Sequence, residues 1–289
     1  MSNTIELAKS FVPKLDECYR LASLTSVLDG APELAKQGAN ANELIIPMMS
    51  MDGLSYYSRD GGYVQGGVTM TNETVKCNFD RGRRFDVDVM DDLETAGLAF
   101  GRLSAQFIRD KVVPELDAFR FASYCGISGV TKKEETLADG AATVAALSAA
   151  VTAMDDEEVT ATGRYLFITP TLLQGINDMD TTKSKKVLEG FEQVIKVPQR
   201  RFYTAIKQLS GKTGEEAGGY TKAAGAANIN FAIVQKDALI QYTKHAAPKI
   251  IAPENNPDAD AYVFGYRMVG IAKAYKNMLS GMYFSHDKA

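Results

Sequence analysis

RDGGYVQGGVTMTNETVKCNF (residues 59–79) carries four glycines in its first nine positions and an alternating apolar pattern after them. A dinucleotide-type phosphate loop needs G-x-G-x-x-G between a strand and a helix, so that the helix N-terminus faces the phosphates. Here the glycines come as two pairs, Gly61-Gly62 and Gly66-Gly67, and a strand-like run follows. Such pairs read as hinges, because glycine has the widest backbone freedom. A two-residue turn at Asn72-Glu73 then gives a register in which Met70 faces Val75 and Val68 faces Cys77. That register gathers Val68, Met70, Val75, Cys77 and Phe79 on one side of a β-hairpin, with Thr69 and Lys76 on the other. An isolated two-stranded hairpin is marginal in water, so its apolar face is expected to dock on another surface.

Upstream, ELIIPMMSM (43–51) has strand composition, with Pro47 arguing for an edge or a free extended segment. Residues 4–28 read as an arm with helical content. Pro13 opens it, Leu15, Cys18, Tyr19 and Ala22 recur at helical spacing, and Gly30 and Pro32 end it. The polar AKQGANAN (35–42) reads as a linker. Downstream, Asp91 and Glu94 have the D-x-x-E spacing of a capping box, and Ala96, Ala99, Leu103, Phe107 and Ile108 follow the helical period. Pro114 kinks this helix or begins a second one carrying Leu116, Phe119 and Ala122, which Gly126 ends. If continuous, residues 92–125 extend roughly 50 Å, the length of a spine rather than of an ordinary domain helix.

The rest of the chain is α/β in pattern. An alanine-rich helix carries Val144, Leu147, Val151 and Met154, and DDEE (155–158) follows it. RYLFIT (164–169) reads as a buried strand, with Thr169 and Pro170 as the cap and first turn of the next helix. INFAIV (229–234) is a second strand, KDALIQYTKH (236–245) is helical in pattern, and residues 261–286 mix strand-forming aromatics into an extended ladder.

Apolar residues make up 45% and charged residues 24% of the 289, a balance that predicts a packed core in one large domain or two lobes. A net charge of −4 argues against sequence-specific DNA binding, which needs a basic excess. Cys18, Cys77 and Cys125 form no C-x-x-C pair, so neither a disulfide framework nor a structural zinc is expected, and a reducing cytoplasm fits. MSNTIELAKSF shows no signal peptide, and AATVAALSAAVTAM is too short to span a membrane.

The search for chemistry returns no catalytic, cofactor or metal constellation. GKT (211–213) lacks the glycine that a phosphate-binding loop needs ahead of it. His245 and His286 are the two histidines, and neither accompanies a G-x-S-x-G nucleophile. His245 is expected to follow a helix and face its last carbonyls. DDEE lacks the spaced ligands and turn glycine of a cation loop, which leaves a solvated acidic corner. Residues 183–212 hold Lys183, Lys185, Lys186, Lys196, Arg200, Arg201, Lys207 and Lys212 against Glu189 and Glu192. They read as a solvated face, or as a contact for nucleic acid or an acidic neighbour.

Several stretches resemble the major capsid proteins of tailed bacteriophages, in a group common in phages and prophages of Gram-positive bacteria. They are KLDECYRLASLTSVLD (14–29), GLSYYSRDGGYVQGGVTMTNETVKCNFDRGRRFDVDVMDDLET (53–95), FIRDKVVPELDAFRFA (107–122), INFAIVQKDALIQYTKH (229–245), KIIAPENNPDADAYVFGYR (249–267) and KNMLSGMYFSH (276–286). The DRGRRF run with its following acids is the most specific of them, and roughly 131–227 carries no matching motif.

The resemblance implies an α+β chain of the Hong Kong 97-type capsid fold. Its parts would be an N-terminal arm (1–43), an extended β-hairpin loop (44–90), the spine helix of a peripheral domain (91–130), an axial domain (131–247) and the return strands of the peripheral domain (248–289). It implies self-assembly through pentamers and hexamers into an icosahedral virion shell around double-stranded DNA, built in the bacterial host cytoplasm. The expected partners are further copies, a separate scaffolding protein, a portal, decoration proteins and non-specifically touched DNA, with no membrane, cofactor or metal. Some relatives crosslink a loop lysine to an asparagine; Lys76 and Asn277 have those types, as do many other residues here. Two alternatives remain: an encapsulin-like compartment with a protein cargo, and a cytoplasmic α/β enzyme using the glycine-rich loop 211–225.

Overall fold

The computed structural model describes residues 23–30, 36–37, 43–90 and 105–288. Three strands form a first, separate sheet: β1 (Lys36–Gln37), β2 (Glu43–Met51) and β3 (Val68–Lys76), in the order β1-β2-β3. β2 and β3 pair antiparallel along their whole length, from Glu43 opposite Lys76 to Met51 opposite Val68. The hairpin expected within 66–79 is therefore not formed. Residues 68–76 run straight through Asn72-Glu73, and the true hairpin joins β2 to β3 through the loop 52–67. A tight two-residue turn wants glycine or asparagine at positive φ, whereas neither Asn72 nor Glu73 has positive φ, and β2 offers nine pairing positions instead. Lys36 and Gln37, read as linker, pair with Ile45 and Leu44. Among the described residues Pro47 pairs with Asn72 of β3 alone, in keeping with the edge position of a residue without an N–H.

β4 (Phe79–Asp88) leaves this sheet and pairs with β12 (Ala261–Ala274), which pairs with β11 (Leu239–Ile251). KDALIQYTKH was expected to be helical. It is instead one 3₁₀ turn, Lys236–Ala238, followed by the start of β11. Ile240, Tyr242 and Thr243 favour a pleated surface, and twelve pairing positions along β12 outweigh the local helical period. His245 accordingly sits at a register shift inside β11, not beyond a helix end. The boundary expected at 247/248 falls within this strand.

On one face of the β11-β12-β4 sheet lies the helix that follows the hairpin. It is described from residue 105, passes through a π-turn at Ile108–Val112 and continues as Val113–Cys125. Pro114 neither breaks it nor begins a separate one. The widened turn ahead of it relieves the clash that a proline ring makes with the preceding carbonyls. Ile108, Val113 and Leu116 pack on Phe79, Phe264, Tyr266 and Met268. The helical arm expected before residue 23, the capping box at Asp91 and Glu94, and Ala96, Ala99 and Leu103 lie outside the described residues.

The remaining elements build a five-stranded mixed sheet, ordered β5-β13-β10-β6-β7: β5 (Thr131–Glu134), β6 (Arg164–Ile168), β7 (Gln193–Lys196), β10 (Ile229–Gln235) and β13 (Met282–His286). Both faces of its centre are covered, which is why β6 and β10 read as unbroken apolar runs. Tyr165 and Phe167 face the Phe121–Phe202 side, while Leu166 and Ile168 face the helices Gly140–Asp156 and Pro170–Asp178. Those two helices touch at Gly140, where a Cβ would lie 2.1 Å from Gly175 O. Pro170 opens its helix as expected, but the Thr169 side chain makes no cap bond. β13, from the segment expected to return to the peripheral domain, belongs to this sheet. A small ladder, β8 (Ile206–Gln208) with β9 (Tyr220–Lys222), completes the strands.

The two sheets are joined by a buried polar cluster. Asp117, fully buried on the helix, accepts bonds from Ser23 Oγ (3.0 Å), Leu24 N (3.1 Å), Thr25 Oγ1 (2.8 Å) and Arg201 (3.2 Å). Arg120 donates to Thr25 Oγ1 (2.8 Å), and Gln241 on β11 donates to Thr25 O (2.6 Å) and Asp29 Oδ1 (2.7 Å). Removing one partner of a buried charged cluster leaves the others desolvated and unpaired. Asp117→Ala is expected to cost about 3–5 kcal/mol, read as a lowered midpoint in denaturant unfolding of the purified chain.

Candidate functional site

Residues facing each other across an antiparallel pair point to the same side of the sheet, and the side alternates along each strand. Met49 lies opposite Met70 and Met51 opposite Val68, so these four form one apolar patch near the hairpin's end. All four are exposed, Met51 at 66% and Val68 at 68%. Ser50 and Thr69, paired on the other face, are polar. Nearer the base the apolar face changes sides. Val75 has the parity of Thr69, is 4% exposed, and packs with Ile240 and Ile271 of β11 and β12, with Cys77 and Tyr275 against them. One face of the hairpin is thus rooted in its own chain, and the opposite face is bare at the end.

This corrects the set read from the sequence. Val68 and Met70 are bare as expected, but Val75 and Phe79 are buried within the chain and Cys77 is half-buried beside them. They cannot offer one continuous docking face. Met49 and Met51 of ELIIPMMSM take their place, brought to this face by the pairing of that strand with 68–76.

The loop 52–67 answers the question of the glycine pairs. Asp52 and Gly67 close it: Asp52 N donates to Gly67 O (3.1 Å) and Gly67 N to Asp52 Oδ2 (2.7 Å). Within it, Ser58 and Gly62 exchange two backbone bonds around Arg59-Asp60-Gly61, and Gly62 holds φ at +73°, where a side chain is strained. Gly61 N donates to Ser58 Oγ (3.1 Å), while Gly66 is open to a side chain without clash. Tyr57 and Tyr63 meet edge to face at 4.9 Å, and Leu54, Tyr56 and Val64 project into solvent. Of the eleven exposed large apolar residues among those described, nine lie between Met49 and Met70, which singles out this region as the unpartnered surface.

DRGRRF (80–85) anchors the hairpin's root. Gly82 is required by close approach, since a Cβ there would lie 2.8 Å from Tyr266 O on β12. Arg81 bonds Glu115 on the helix (2.8 Å) and the carbonyls of Leu209 and Gly219 (2.8 and 3.2 Å). Burial pushes the Glu115 carboxyl above its ordinary range, against the pull of Arg81. Arg83 reaches Glu216 O (2.8 Å), and Arg267 grips Asp80 with two bonds (2.9 and 2.7 Å).

The other candidates fall apart from one another. The glycine-rich loop 209–219 is bound to its own flank as well as to β4: Glu215 takes Lys207 (2.6 Å) and Ser210 N (2.7 Å), which hold its carboxyl down to about 2. Asp155 of DDEE pairs with Arg164 (2.7 Å). In the basic segment, Arg201 is drawn to buried Asp117 and Lys185 to Asp180. Burial raises the Cys125 thiol to about 11, so it is no thiolate at neutral pH. Among the described residues no group of three or more His, Cys, Asp and Glu side chains could hold a metal ion, and no helix is long and apolar enough to cross a membrane.

No family model matches the chain, and no curated protein matches it in sequence. Solved structures do. A chain of the virus-like particle from Pyrococcus furiosus aligns with a TM-score of 0.60 at 10% identity, over 96% of this chain and 98% of that one. A chain from Gordonia phage Cozz gives 0.60 at 10%, over 93% and 87%. The capsid structure of cyanophage P-SCSP1u gives 0.55 at 13%, over 87% and 85%.

The chain has a Hong Kong 97-type capsid fold.

At such identities it is the fold that is shared, and the α+β class expected from the sequence is borne out. Within the Hong Kong 97-type fold of this chain, the two kinds of hairpin residue should respond differently to mutation. Gly82→Ala is expected to destabilise the chain by about 1–3 kcal/mol through overpacking against β12. Met70→Ser, at an exposed position, should stay within about 0.5 kcal/mol. Urea midpoints of the two variants check this.

Proposed function

We propose that this chain is the major capsid subunit of a tailed phage or prophage, a structural protein that self-assembles into an icosahedral shell around a double-stranded DNA genome. The observation that carries the reading is the bare patch of Met49, Met51, Val68 and Met70 on a hairpin rooted in a Hong Kong 97-type fold. A monomer gains nothing from presenting such a patch to water. Buried under a neighbour, each residue contributes on the order of 1.5–3 kcal/mol when fully covered. Modest contacts repeated by symmetry around a closed lattice hold a shell together.

In this reading the copies form pentamers and hexamers in the host cytoplasm, with a separate scaffolding protein, a portal and decoration proteins, and touch packaged DNA without sequence preference. The mature location is the virion. The chain acts as a structural protein rather than an enzyme, in keeping with a loop 209–219 that is tied to Lys207 and to the arginines of β4. The glycine pairs serve as hinges: Gly62 and Gly67 shape the turn and its closure, while Gly61 and Gly66 supply freedom that their resting geometry does not use. A second reading, an encapsulin-like compartment around a protein cargo, is supported by the near-complete overlap with the Pyrococcus furiosus particle.

Electron microscopy of the expressed full chain tests the proposal. Closed shells are expected, and nucleic acid within shells recovered from phage-producing cells favours the capsid over the compartment. A persistent small oligomer overturns both. Changing Met49, Met51, Val68 and Met70 together to serine should abolish shells while leaving the unfolding midpoint in place. Gly61→Ala with Gly66→Ala, which introduces no clash, should permit folding yet impair assembly or maturation; normal shells from that pair would sink the hinge role.

A further inference from the structure

The β11-β12-β4 sheet carries opposite charge in two places. Along β4, between the helix that packs on this sheet and the segment 200–222, runs an open trough of about 1190 Å³. Six cations line it against three acids, and all three acids are already engaged: Asp80 by Arg267, Asp110 by Arg109 and Glu115 by Arg81. Arg83, Lys111, Arg200 and Lys222 are exposed and form no ion pair among the described residues. Two of them are held in place by neutral groups. Arg83 donates to Glu216 O (2.8 Å), and Lys222 donates to Asn228 Oδ1 (2.9 Å) while lying 5.6 Å from the centre of the Tyr203 ring.

At the Asp88 end of the same sheet the turn between β11 and β12 (252–260) presents Glu254, Asp258 and Asp260, all exposed, and no cation. Asp86 and Asp88 extend this acidic end onto β4. The turn is preformed. Pro253–Asn255 makes a 3₁₀ turn, Asn256 Nδ2 donates to Ala261 O (3.0 Å), Asp258 N donates to Asn256 Oδ1 (3.3 Å), and Val89 N donates to Asp260 O (3.2 Å). Little ordering remains to be done on binding.

We infer that the acidic β11–β12 turn of one copy docks in the basic trough of a second copy, head to tail. The unpaired cations and the unpaired carboxylates belong to one chain, so each copy supplies both halves of the contact, and such heterologous contacts close into rings and shells. Complementary charge also sets register and rejects wrong approaches. A second copy is favoured over nucleic acid because the chain itself carries the matching exposed carboxylates, whereas its net charge of −4 disfavours phosphate. The inference rests on the chain being a shell subunit, and names a contact separate from the hairpin patch.

Two measurements test it. Carbodiimide treatment of a mixture of isotope-labelled and unlabelled full chain, at low salt, should give mixed-label amide crosslinks between the 252–260 peptide and Lys111 or Lys222. Their absence, with inter-chain crosslinks elsewhere, overturns the contact whether or not shells form. Charge reversal of the turn (Glu254→Lys, Asp258→Lys, Asp260→Lys) or of the trough (Arg83→Glu, Arg200→Glu, Lys222→Glu) should each lower shell yield by about tenfold, and the two sets combined should restore it. A combination no better than either set alone overturns the proposal. So does trough reversal that leaves shells intact and removes only bound nucleic acid. The serine variant of the hairpin patch should keep the mixed-label crosslink even where shells are lost, which separates failure of this contact from failure of the shell reading.

Discussion

A single buried carboxylate ties the two larger lobes of this chain together. Asp117 sits on the helix that packs against the β11-β12-β4 sheet, yet its oxygens are filled by the 23–25 segment and by Arg201, which belongs to the other lobe. A charge in a dry interior is tolerated only when it is paired and fully hydrogen-bonded. That requirement forces the arm, the helix and the 199–201 turn into one arrangement. Gln241 extends the constraint to β11 through Thr25 O and Asp29. The lobes are therefore positioned by polar geometry as well as by apolar packing, and the hairpin that leaves β4 inherits a fixed starting direction.

That fixed root explains the hairpin's two-sided character. Val75 packs on Ile240 and Ile271 on one face, while the methionine-rich patch near the tip lies on the other. A hairpin with its apolar residues all on one face would fold back on its own domain. Switching faces part-way lets the base hold the hairpin and the tip remain available. Methionine suits this position, because its flexible, polarizable side chain adapts to more than one partner surface.

The arginine-rich stretch at the root serves packing first. Gly82 lets β12 approach, Arg81 links β4 to the helix and to the 209–219 loop, and Arg83 holds that loop at Glu216 O. The loop carrying GKT, which lacks the glycine a phosphate-binding loop needs ahead of it, is thereby recruited as a wall of the trough. Two of its glycines at positive φ, Gly211 and Gly218, lie against the Arg83 guanidinium, where a Cβ would come within 3.2 and 2.8 Å of it.

Sequence by itself determined a good deal of this protein. The apolar runs at 164–168 and 229–234 identified strands covered on both faces, Pro170 marked a helix start, and the DRGRRF stretch pointed to the fold class. Those signals are local: they depend on residues near one another in the chain and on burial that a run of apolar side chains announces. Tertiary structure alone decided the rest. Residues 68–76 alternate well enough to pair with themselves, and KDALIQYTKH has a helical period, so local pattern favoured a short hairpin and a helix. Long partners, β2 and β12, overrode both, because each added a ladder of backbone bonds from a distant part of the chain. The choice of partner also set which side of the hairpin is bare, since side-chain direction follows from register. That is why Met49 and Met51 joined the candidate surface and Val75 and Phe79 left it: a face exists only once two strands are in register, and no single strand's sequence contains that information.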